Sequence, residues 1–168
     1  AAPPIGMFTI VEGDVVVIRE SQRFAAAPGL RVQPDDIVHT GEQAHVARIE
    51  LAEGGALDAG PATRLLLRPR WAEPRSERPS RIYLSRGWVK LTATPADRIG
   101  LASPQLDFTE VVGSTVVHVA PDGAFVFVES GSARLVERIE GQPPRRHALA
   151  AGQAYDRRGG DAGSAGGR

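Results

Sequence analysis

"DDIVHTGEQAHVARIEL", residues 35–51, sets Asp35, Asp36, His39, Glu42 and His45 close together. The stretch is either a ligand or acid–base cluster or a bend between two strands, and the choice decides the fold class. Side chains alternate along a strand, so Asp36, Val38 and Thr40 share one face and Ile37 and His39 the other. After Gly41, Ala47, Ile49 and Leu51 alternate with Arg48 and Glu50 in the same way. A hairpin with its corner at Thr40-Gly41 would make His39 and His45 cross-strand neighbours, with Glu42 beside them. A working zinc site still wants a third or fourth ligand fixed in place by its own hydrogen-bond partners. The aspartates instead suit a turn, where their oxygens accept backbone N–H groups. The stretch reads as strand, bend, strand, with no metal assigned.

The same period of two recurs along the chain. Val15 and Val17 share a face, as do Thr63, Leu65 and Leu67. So do Ile82 and Leu84, Val89 and Leu91, and Thr115, Val117 and Val119. The series continues with Ala124, Val126 and Val128, then Ala133, Leu135 and Glu137. Glycine-bearing punctuation such as "EGD", "SRG", "VGS", "PDG" and "ESGS" falls about every ten residues and reads as tight turns. "PDG" at 121–123 is the strongest hairpin signal. "SQRFAAAPG", 21–29, is the one place for a short helical turn. The expectation is an all-β fold of short antiparallel strands with almost no helix. It is built as a two-sheet sandwich or a twisted, solenoid-like roll.

One domain spans residues 1–156. The segment 68–80, "RPRWAEPRSERPS", carries three prolines and reads as a protruding loop, reaching Arg81. The glycine-rich tail 157–168 lacks apolar anchors and reads as a mobile linker. Twenty acidic and twenty basic residues leave no net field to gather nucleic acid. The longest apolar runs are a few residues, such as "VVVI" at 15–18, so no membrane insertion is expected. Absence of cysteine removes disulfides, thiolate sites and a Cys nucleophile. The opening "AAPP" suits a mature chain after signal-peptide cleavage, the alternative being an artificial truncation.

A Ser-His-Asp set drawn from Ser103 or Ser114, His118 and Asp122 lacks a Gly-x-Ser-x-Gly elbow. His118, between Val117 and Val119, is expected to face solvent. "GGALDAG" has no following helix to cradle phosphate. No enzyme activity and no cofactor are assigned.

Taken in order, the pieces resemble the FecR domain, a periplasmic all-β module of sigma-factor regulators and other exported proteins. Asp36, Val38, Thr40 and Gly41 match its first block, with Asp35 where the family has glycine. Ala47, Ile49 and Leu51 fit the next strand, Glu53-Gly54 a turn, and Gly60-Pro61-x-Thr63 the opening of the strand to Leu67. "LSRGWVKL", "STVVHV", "FVFVESGSARLV" and "LAAGQ" follow in order, and Ser103 stands where a threonine is common. The resemblance runs from about Val11 to Gln153. The regulators' anti-sigma segment and transmembrane helix are not in this sequence. What the resemblance then implies is an exported, periplasmic binding or signalling module with a protein partner in the cell envelope.

For contacts, the sequence offers Arg68, Arg70, Trp71, Arg75, Arg78 and Arg81 as a partner-binding loop, arginine forks for carboxylate or phosphate and tryptophan as anchor. An exposed sheet edge is a second route. The alternative is a structural subunit of an envelope or extracellular assembly, by self-assembly or with other subunits. A metal- or glycan-binding domain is the third reading.

Overall fold

The computed structural model describes residues 4–67, 82–97, 99–138, 140–158 and 166–167. It is all-β, with no helix among the described residues. The strands in chain order are β1 (Gly6–Glu12), β2 (Val15–Arg19), β3 (Gln22–Ala25), β4 (Arg31–Val32) and β5 (Ile37–Thr40). Then come β6 (Val46–Leu51), β7 (Ala56–Ala59), β8 (Arg64–Leu67), β9 (Ile82–Ala93) and β10 (Leu101–Ala102). The series closes with β11 (Leu106–Ala120), β12 (Gly123–Glu137), β13 (Arg145–Ala150), β14 (Gln153–Arg158) and β15 (Gly166–Gly167). All belong to one open, hydrogen-bonded sheet, antiparallel except for the β9–β10 pair.

Three long strands give this sheet its shape. β9 carries Gly87 at φ 104°, β11 carries Gly113 at 83°, and β12 carries Gly131 at 76°. Backbone in this region is cheap only for glycine. Before Gly87, β9 lies between β8 and β10; after it, between β7 and β11. The first part of β12 pairs with β14 and the second with β13. The sheet therefore has two leaves that share β9, β11 and β12. Leaf one runs β3-β2-β5-β8-β9-β10-β11-β12-β13, and leaf two runs β4-β1-β6-β7-β9-β11-β12-β14-β15. One hydrophobic cluster joins them, with Val17, Leu65 and Leu84 from leaf one and Phe8, Ile49 and Leu57 from leaf two.

Gly113 and Gly131 are direct cross-strand partners, and a bulge beside them leaves Glu129 unpaired. A bulge adds one residue to one strand, which flips the inward parity beyond it. Inward residues accordingly change from Ala124, Val126 and Val128 to Ala133, Leu135 and Glu137.

The motif residues converge on a corner between β5, β8 and β9. Thr40 Oγ1 donates to Gly60 O at 2.6 Å and accepts Thr63 N–H at 2.9 Å. Thr63 Oγ1 accepts Trp88 N–H at 3.0 Å. A Cβ on Gly87 would stand 2.5 Å from Thr63 Cα. Asp36 is fully buried and takes Arg19 in a fork at 2.8 and 2.7 Å, plus Gln33 N–H at 2.8 Å. Asp35, standing where the resemblance has glycine, adopts φ 72°, a region aspartate tolerates better than most side chains. The aspartates of the opening stretch shape a turn.

Several expectations change. Residues 22–25 of the expected helical turn form β3, because Glu20 and Ser21 at φ 51° and 66° make a tight hairpin turn back onto β2. Thr40-Gly41 is no hairpin corner: β5 pairs with β2 and β8, whereas β6 pairs with β1 and β7. "SRG", "VGS" and "ESGS" are bends inside long strands, so β11 and β12 reach 15 residues each. "PDG" does close a hairpin, with Ala120 opposite Gly123. Arg157 and Arg158, placed in the tail, continue β14.

Candidate functional site

The loop residues Arg68, Arg70, Trp71, Arg75, Arg78 and Arg81 lie outside the described residues. His39 and His45 are not brought together, because His39 sits on leaf one and His45 leads into β6 of leaf two, its N–H bonded to Glu12 O at 2.9 Å. Among the described residues, no three His, Asp or Glu side chains are grouped to hold a metal. Ser103 Oγ bonds Leu106 O at 2.7 Å and closes a turn, far along β11 from His118. Ser130 Oγ accepts the N–H of Ser114 at 3.1 Å.

The outward side of leaf two presents a different constellation. Val89, Leu91 and Ala93 point inward after the Gly87 bend, so Trp88 and Lys90 point outward. Register places Trp88 opposite His118, which faces Phe125 one strand further on. The indole and imidazole rings stack with centroids 4.0 Å apart and 16° between planes. His118 is thus half-buried against a neighbour rather than turned free to solvent. Gly60 lies on the other flank, its N–H donating to Trp88 O at 2.8 Å. A Cβ there would come within 3.0 Å of Trp88 Cβ, so glycine keeps that side of the ring open.

The result is a shallow groove of about 190 Å³ lined by His45, Asp58, Gly60, Trp88, Lys90 and Val116. Trp88 remains 42% exposed. Ion pairs edge it, Arg48–Asp58 at 3.3 Å and Lys90–Glu129 at 2.9 Å. A large ring held rigid by stacking, with polar groups around it, can bury much area at small entropic cost. The alternation "GWVKL" carried this signal, since Trp88 is out of phase with Val89 and Leu91.

A second polar group sits inside. Glu137, at the end of β12, is fully buried and accepts the Tyr155 hydroxyl on Oε2. His147 Nε2 stands 3.5 Å from Oε2, and Arg157 Nη1 stands 3.8 Å from Oε1 while donating to Arg138 O at 3.2 Å. Glu137 and His147 belong to leaf one, Tyr155 and Arg157 to leaf two. The arrangement ties the leaves together.

His39 faces outward from leaf one. Burial, then the nearby Arg86, Arg64 and Arg23, push its pKa below the ordinary 6.5, and Asp14 opposes them. The fold thus disfavours the imidazolium, and the stability gained from keeping His39 neutral is intact above the unfolded value. It is lost as pH falls through 6.5 toward the folded value. His39→Gln should flatten this part of the acid-side decline, read by thermal melting from about pH 8 to about pH 5. Parallel curves for the two proteins would refute the assignment.

No family model, curated protein or solved structure matches the chain.

Proposed function

We propose that the chain is an exported, non-catalytic β module of FecR-like type that binds a protein partner in the cell envelope. The Trp88–His118 stack on the outward side of leaf two carries this reading. The residues behind the resemblance, Thr40, Gly60, Thr63 and Gly87, are committed to joining β5, β8 and β9. Recognition then falls to the outward side chains around them. Trp88→Ala should lower recovery of the partner from envelope extract at least tenfold, as removal of a hot-spot tryptophan does. His118→Ala should have a smaller effect, by freeing the indole. Equal recovery by wild type and Trp88→Ala would end the proposal for this face.

One observation favours a structural subunit instead. β3 and β13 each have one hydrogen-bonded neighbour among the described strands, which leaves an open edge at each end of leaf one. Such edges invite further strands. A sedimentation mass that grows with concentration would support self-assembly, and a constant monomer mass would exclude it.

A further inference from the structure

Two arginines oppose each other on the outward side of leaf one. Arg64 on β8 is the cross-strand partner of Arg86 on β9, and also of His39 on β5. Thr63, Leu65 and Leu84 beside them are buried, so these three side chains point away from the core. Arg86 reaches this side through a bulge. Arg64 pairs with Arg86 while Leu65 pairs with Leu84, so Ser85 is the extra residue. Bulges commonly re-aim a side chain in this way. Ser85 Oγ then donates to Arg64 O at 3.1 Å. Arg23 on β3 lies on the same outward side, opposite Ile18 of β2.

Like charges set directly opposite on a sheet are destabilising. Among the described residues, Arg23, Arg64 and Arg86 have no ion-pair or hydrogen-bond partner for their guanidinium groups. The facing acid is Asp14, which acts on His39. Three exposed guanidinium groups around one imidazole form an anion-binding surface whose counter-charge is not supplied by its neighbours among the described residues.

The spacing identifies the kind of anion. From β3 to β9 the order is β3-β2-β5-β8-β9, four strand intervals of about 4.8 Å, or about 19 Å. A single phosphate or carboxylate cannot reach both ends of that row. An extended peptide of about six residues, at about 3.3 Å each, can, and every second side chain faces the surface. The parallel row Ile18, Ile37 and Leu66 is outward and half-buried, offering apolar contact beside the charges. We propose that this face docks an extended acidic segment of a protein partner, with its carboxylates held by Arg64, Arg86 and Arg23. The inference rests on the partner-binding reading above and gives that partner a second contact.

The test uses the full chain and a labelled peptide of alternating glutamate and valine, seven residues long, read by fluorescence anisotropy. Binding should weaken at least tenfold when glutamine replaces the peptide's glutamates, and likewise in Arg64→Gln/Arg86→Gln. Trp88→Ala should bind the peptide as wild type does. The double variant should melt at or above the wild-type temperature, because an opposed like-charge pair is gone. The inference is overturned if the peptide does not bind at low salt or binds the double variant equally well. It also falls if inorganic phosphate, at the concentration of the peptide's carboxylates, displaces it, for that marks a single-ion site. If the peptide binds through Arg64 and Arg86 but envelope extract yields no partner, the partner reading fails while the acidic-peptide site stands. A partner captured through Trp88 by a protein that ignores the peptide gives the reverse.

Discussion

Glu137→Ala is expected to lower the unfolding free energy by about 3–5 kcal/mol, the usual cost of removing one member of a buried ion pair. The change strands Arg157, almost wholly buried, and leaves the Tyr155 hydroxyl without its acceptor. Against a typical total of about 5–15 kcal/mol, that is a large share. Glu137→Gln keeps the volume and an acceptor for Tyr155, so its cost should be nearer 1–3 kcal/mol. Glu137→Leu combined with Arg157→Met removes both charges and fills their space, and should recover most of the loss. Urea unfolding of the four proteins decides the matter. If the double variant falls as far as Glu137→Ala, the loss belongs to packing and not to a stranded charge.

Gly87→Ala should cost about 3 kcal/mol or more, from two sources. The backbone at φ 104° is one that side chains adopt only under strain of about 1–3 kcal/mol. The new methyl group would also meet the Thr63 backbone, with Cα 2.5 Å away, so β8 or β9 must move. Gly29 separates the two sources. Its φ is 91°, but nothing lies within 4 Å of a Cβ built there. Gly29→Ala should therefore cost only the backbone part. Equal melting temperatures for the two variants would show that the contact with Thr63 is relieved without loss.

Much of this architecture could be read from alternation alone. The inward set Val15, Val17, Leu65, Leu67, Leu84, Val117 and Val126 is buried, and even Glu137 falls on the core side. Side-chain phase within a strand is a local property, so it survives without knowledge of partners. Register and leaf membership are not local. Gly87, Gly113 and Gly131 have the neighbours of turn residues, yet each lies where a strand passes from one set of partners to another. The separation of β5 from β6, against the expected hairpin, has the same cause: both strands alternate well, and nothing nearby in sequence says which strand each will meet.

The sites follow the same division. Trp88 could be found from its phase, and the aspartates at 35 and 36 from turn chemistry. The opposition of Arg64 and Arg86 depends on a bulge at Ser85, which adds a residue without changing composition. The meeting of Glu137, His147, Tyr155 and Arg157 depends on how β12, β13 and β14 are arranged around the end of both leaves. Neither was legible before the pairing was known.

Because β9, β11 and β12 each pass through both leaves, neither leaf corresponds to a contiguous half of the polypeptide. A break within any of the three would divide both hydrogen-bonded surfaces at once, leaving each fragment with unmatched edges and an uncovered interior. Gene fusion or recombination can therefore transplant this fold as a whole, but has no seam along which to exchange half of it.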